Sequence, residues 1–60
     1  MDLEKVFNWF GGKKRTAEAL DVDAAAVSQW IKLGYIPPAN ALKVERITKG
    51  EFKAIDLSKQ

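Results

Sequence analysis

The chain has 60 residues, 47% of them hydrophobic, with ten Lys/Arg against eight Asp/Glu and neither Cys nor His. A chain this short is expected to form one small domain, burying only about 60% of the surface its unfolded form exposes. Disulfides, Cys/His zinc sites and histidine acid–base catalysis are excluded, and a formal charge of only +2 means that any basic surface depends on where the cations lie.

The chain begins "MDLEKVFNWFGG". Asp2 is a suitable N-cap, and Met1 with Val6 can form a hydrophobic staple. Leu3, Val6, Phe7 and Phe10 follow the i, i+3, i+4, i+7 spacing of one helical face, with Trp9 at its edge. Gly11 and Gly12 stop this helix. Met1 is followed at once by Asp2 and Glu4, so no signal peptide is visible and the cytoplasm is the expected location. The apolar runs are too short to span a membrane.

"KKRTAEAL" fits a second helix with Ala17 and Leu20 facing inward. Lys13, Lys14 and Arg15 open it, although the helix dipole disfavours cations at that end. Two readings stand side by side: a solvated basic turn, or a place where an anion docks.

"DVD" leads into a third helix, "AAAVSQWIKLG", with Asp23 as N-cap and Gly34 as the stop. At about 100° per residue, Ala24, Trp30 and Ile31 cluster around Val27 as the buried face. Ala25, Ser28, Gln29 and Lys32 take the opposite face, and Ala26 falls on the flank. An outward helix face usually carries several charges, whereas this one offers a methyl, a hydroxyl, an amide and one cation. Such groups suit the DNA major groove: Gln bonds adenine bidentately, Ser reaches either type of base edge, and an Ala methyl rests on a thymine methyl. The bland alternative is an Ala-rich surface helix.

"YIPP" then ends one helix and starts another, with a proline at or next to its first position. "ANALKVERITK" carries an inward stripe of Ala41, Val44 and Ile47. Leu42 lies on the other side with Glu45, Arg46 and Lys49. Leu42 either joins Leu33, Tyr35 and Phe52 in an apolar patch for a two-fold dimer contact, or belongs to a partly buried second face. In the tail "EFKAIDLSKQ", Phe52 and Ile55 suit a helical face, but a short strand fits as well.

Two short helices joined by a tight turn, with a small residue (Ala17) in the first and Val27 and Trp30 pointing inward from the second, form a helix-turn-helix pattern. At these residues the sequence resembles the Cro repressors of lambdoid phages and related short prophage-type regulators. The resemblance covers residues 10–57 and is strongest in "AVSQW", "IPP" and "ALKVERITKG". It implies a small dimeric repressor of short palindromic operators, acting in the switch between lytic and lysogenic growth. It places Ala24, Ala25, Ser28 and Gln29 toward bases, and Lys13, Lys14, Arg15 and Lys32 toward phosphates. One departure stands out: Asp21 occupies a turn position where the family usually has Gly in a left-handed backbone.

The expectation is therefore an all-α fold of four to five helices, one domain over residues 1–60, with the motif at about 14–33 and the tail at 51–60. The tail is expected to be a short helix or turn near 51–55, since the sequence resembles the all-helical members of the family more. The expected partners are double-stranded DNA and a second copy of the chain, with no cofactor, metal or membrane. An enzyme is disfavoured because no paired carboxylates, phosphate loop or nucleophile–base pair occurs. Two alternatives remain: a protein-interaction or antitoxin-type regulator on the same scaffold, and a transcription activator, which would use the same reading helix as a repressor.

Overall fold

The computed structural model of the protein describes residues 3–58. Five helices follow in order: α1 (Leu3–Phe10), α2 (Lys13–Leu20), α3 (Ala24–Leu33), α4 (Pro38–Ile47) and α5 (Ala54–Leu57). The described residues contain no strand, and the described part of the tail holds one short helix and no hairpin. Its one helix lies at Ala54–Leu57, a few residues beyond the expected 51–55. The expected cap at Asp2 and staple from Met1 lie outside the described residues.

α1 buries Leu3, Val6 and Phe7, as its spacing dictates, while Phe10 packs part-buried against the core. The helix ends in a Schellman turn: the Gly12 amide donates to the Phe7 carbonyl at 2.8 Å and the Gly11 amide to the Asn8 carbonyl at 3.1 Å. Gly12 is at once the N-cap of α2, with φ of 127°, where a side chain would be strained. Its carbonyl accepts from both the amide and the hydroxyl of Thr16, at 2.9 and 2.8 Å. These bonds satisfy Thr16, which is fully buried beside Ala17 and Leu20.

α2 ends in a second Schellman turn. The Asp21 amide donates to the Glu18 carbonyl at 3.2 Å, and the Val22 amide to the Ala17 carbonyl at 2.9 Å. Asp21 holds φ 58° and ψ 48°, the left-handed conformation expected of it. α3 stops at Gly34, also left-handed, whose amide donates to the Trp30 carbonyl at 2.8 Å. Pro37 and Pro38 supply the N-cap and first position of α4, where a missing N–H costs nothing.

α2 is the hub of the fold, packing against α1, α3 and α4, while α4 carries α5. Val6, Leu20, Val27, Ile36, Val44 and Leu57 are the largest fully buried apolar side chains. Each contributes about 1.5–3 kcal/mol through removal from water. Trp30, 3% exposed, joins them from α3. No buried side-chain polar atom among the described residues lacks a hydrogen-bond partner.

Three expectations about inward faces are corrected. Ala24 and Ile31 do not pack beside Val27: Ala24 is exposed and Ile31 is 42% exposed, while Ala26 is half-buried against the core. The reason is the bulk of Trp30, which turns the buried arc of α3 away from Ile31. With Val27 at zero, Trp30 sits at about −60° and Ala26 at about −100°, so Ala24 at about +60° and Ile31 at about +40° fall outside. In α4, Ile47 is likewise 42% exposed, and Thr48 is buried in its place. In the tail, Leu57 is the buried residue and Ile55 is 79% exposed.

α4 holds its neighbours through side chains. Glu45 Oε1 accepts the Ala54 amide at 2.7 Å, capping α5 from another helix. Thr48 Oγ1 donates to the Val44 carbonyl at 2.8 Å and accepts from the Phe52 amide at 3.3 Å. The Ile36 amide donates to the Leu57 carbonyl at 2.8 Å, tying the entry of α4 to the tail. Lys49 ends α4 in a left-handed conformation, φ 54°, within a third Schellman turn.

Candidate nucleic-acid interface

The outward face of α3 follows from what its inward face buries. Val27 and Trp30 are committed to the core, and Ala26 leans on it. Ala24, Ala25, Ser28, Gln29 and Lys32 are all exposed, and Ile31 joins them at one edge. The face is thus wider than expected and more apolar along one side. Ile31 is the residue that sequence reasoning missed here. The signal was its neighbour: a Trp one position before it decides which side of the helix is buried.

The first turn of this face carries only methyl groups, and Ser28 and Gln29 follow a turn later. Close approach of the backbone to a partner is therefore unobstructed. Asp23 stands at the N-cap position with extended backbone, φ −73° and ψ 152°, but its side chain makes no cap bond. Asp23 is the N-cap expected of it, and the Ala26 amide donates to its carbonyl at 2.9 Å. The amides opening α3 thus receive no bond from the Asp23 side chain. A positive pole of this kind favours negative charge nearby.

Lys13, Lys14 and Arg15 are exposed in the first turn of α2, which has no side-chain cap either. Arg15 folds back over Gly11, where an added Cβ would come within 3.3 Å of its Cδ. Lys32 lies in the last turn of α3. The cations are thus distributed over the opening of α2 and the end of α3, while the small polar groups lie within α3.

The four residues expected at a dimer contact are differently placed. Leu42 is 52% and Leu33 44% exposed, Tyr35 is half-buried, and Phe52 packs part-buried against the core. Leu42 lines an open depression with Glu45, Arg46, Lys49 and Gly50. Leu33, Tyr35 and Phe52 are not among its lining residues.

No group of three or more acidic, His or Cys side chains able to hold a metal occurs among the described residues. No helix among them is long and apolar enough to cross a membrane.

Comparison with known proteins identifies the family. The profile of the P22 Cro family, described as "DNA-binding transcriptional regulator Cro", matches residues 2–60. The chain is 38% identical over 53 residues to the regulatory protein Cro of Salmonella phage P22, covering 88% of this chain and 84% of that protein. No solved structure matches it. With a five-helix fold and an exposed, nearly uncharged α3 face already described, the match along almost the whole chain makes this protein a member of the P22 Cro family of DNA-binding, non-enzymatic transcriptional regulators.

Proposed function

We propose that the chain, acting as one DNA-binding unit, represses transcription by binding short palindromic operators as a dimer in the cytoplasm of a bacterial host. The observation that carries this reading is the exposed face of α3. Ala24 and Ala25 leave clearance for the helix to enter a major groove, and Ser28 and Gln29 stand where they meet base edges. Lys13, Lys14, Arg15 and Lys32 contact phosphates and supply most of the affinity. Two copies present their α3 helices to successive major grooves about 34 Å apart. A dimer seated over a promoter excludes polymerase.

Selection of bound sites from random duplex DNA tests this reading. A palindrome with half-sites about one helical turn apart is the expected outcome. Recovery of no enriched sequence, together with binding that is insensitive to salt, would favour a protein-interaction regulator instead.

Leu42 is the centre of the proposed two-fold contact, with Leu33, Tyr35 and Phe52 as its further proposed members. Leu42→Glu is expected to weaken self-association in sedimentation by about tenfold or more, with the monomer still folded. Unchanged association would remove Leu42 from the contact.

A further inference from the structure

α2 carries no basic residue in its own last turn. Its C-terminal pole receives one from elsewhere: Lys43 Nζ, on α4, donates to the Leu20 carbonyl at 3.3 Å, across 23 positions of sequence. Leu20 is the last residue of α2, and Asp21, strained into the left-handed region, comes next. The neighbouring carbonyls of Ala17 and Glu18 are taken by the Val22 and Asp21 amides of the turn. Lys43 thus supplies a bond that the turn's own backbone does not make to the last residue of α2, and places a cation where the helix dipole is negative.

α3 has α2 as its main neighbour, and α2 in turn packs on α4. The angle between α3 and α4 is therefore set through α2 and the turn at 21–23, together with the short 34–37 connection. Lys43 ties α4 to the last residue of α2, immediately before the turn at 21–23. We propose that Lys43 is a positioning residue: its bond to Leu20 fixes how α3 is presented relative to α4, and it acts on DNA affinity through that geometry and not by touching phosphate. This rests on the proposed reading of α3 as the DNA-contacting helix and of α4 as the helix bearing the dimer contact.

The two roles open to a lysine differ in their salt dependence. A phosphate contact lowers the slope of log affinity against log salt by about 0.9 when it is removed, whereas an internal strut leaves the slope alone. The experiment compares wild type, Lys43→Met and Lys43→Arg on one selected duplex over a salt series. Residual dipolar couplings on the free proteins report the α3–α4 angle in parallel.

Lys43→Met is expected to lose about three- to tenfold in affinity, the range one hydrogen bond's net worth allows. The salt slope should stay unchanged and the α3–α4 angle should shift. Lys43→Arg keeps a cationic donor and should restore both affinity and angle. A reduced slope with an unchanged angle would make Lys43 a phosphate contact and overturn the proposal. Unchanged affinity and angle in Lys43→Met would overturn it as well. If the wild type itself binds no DNA, the reading of α3 fails first, and the couplings alone still decide whether Lys43 sets the angle.

Discussion

The α2–α3 pair and the α4–α5 pair are held together by different chemistry. Between α2 and α3 the turn is closed by backbone amides from Asp21 and Val22, and the pair is packed by Ala17, Leu20, Val27 and Trp30. α4 also closes with a backbone turn, through the Lys49 and Gly50 amides, but its link to α5 adds side-chain ties: Glu45 caps Ala54 and Thr48 bridges Val44 to Phe52. That contrast explains the bare outward face of α3. Its capping is done by backbone and its adhesion by two core residues, so Ala25, Ser28 and Gln29 carry no structural duty. α4 carries the reverse burden, spending Lys43, Glu45 and Thr48 on holding other elements in place.

The largest effect that probes this contrast comes from the core of the α2–α3 pair. Trp30→Ala is expected to cost about 3–5 kcal/mol. A domain of this size has a total stability of about 3–9 kcal/mol, so much or all of its folding is lost. Circular dichroism would show a weak or absent cooperative melt. A near-normal melt would mean that α3 is held by something other than its inward face.

Glu45→Ala should cost about 1 kcal/mol by uncapping α5, comparable to loss of an N-cap. For a chain of this length that lowers the melting temperature by about 4–8 °C. Amide exchange at Ala54 should rise, while DNA affinity stays close to wild type. A matching loss of DNA affinity would show that the two halves are not separable.

Asp21→Gly is the smallest of these changes and has the opposite sign. It relieves the left-handed strain of a non-glycine residue but gives the unfolded chain more freedom. The net gain expected is about 0.5 kcal/mol, raising the melting temperature by about 2–4 °C. A fall in melting temperature would mean that the Asp21 side chain contributes a bond that outweighs its strain.

Particular residues show what was legible in the sequence. Asp21, Gly34 and Pro37–Pro38 marked helix boundaries correctly because each acts through its own backbone. Ala17, Val27 and Trp30 were correctly read as inward-facing because they lie well within a single buried face. Ala24, Ile31 and Ile47 were misread because a wheel centred on one apolar residue assumes a symmetric buried arc. In α3 the arc is pulled aside by Trp30, and in α4 it is pulled toward Thr48, whose hydroxyl is satisfied internally. Ile36 and Leu57, both fully buried, were not singled out. They lie at the entry of α4 and in a one-turn helix, where no periodicity is long enough to read. Ties such as Lys43 to Leu20 and Glu45 to Ala54 are tertiary and leave no local pattern at all.

The central claim is that the bare face of α3 reads sequence. Gln29→Ala tests it most directly, with affinities measured at one salt concentration against a panel of single-base variants of the selected operator. Its stability should stay within about 0.5 kcal/mol of wild type, because Gln29 is an exposed residue with no core contact. Discrimination of about 1–3 kcal/mol is expected to disappear at one base pair per half-site and to persist at the others. An equal loss of affinity on every variant, with discrimination intact throughout, would contradict it.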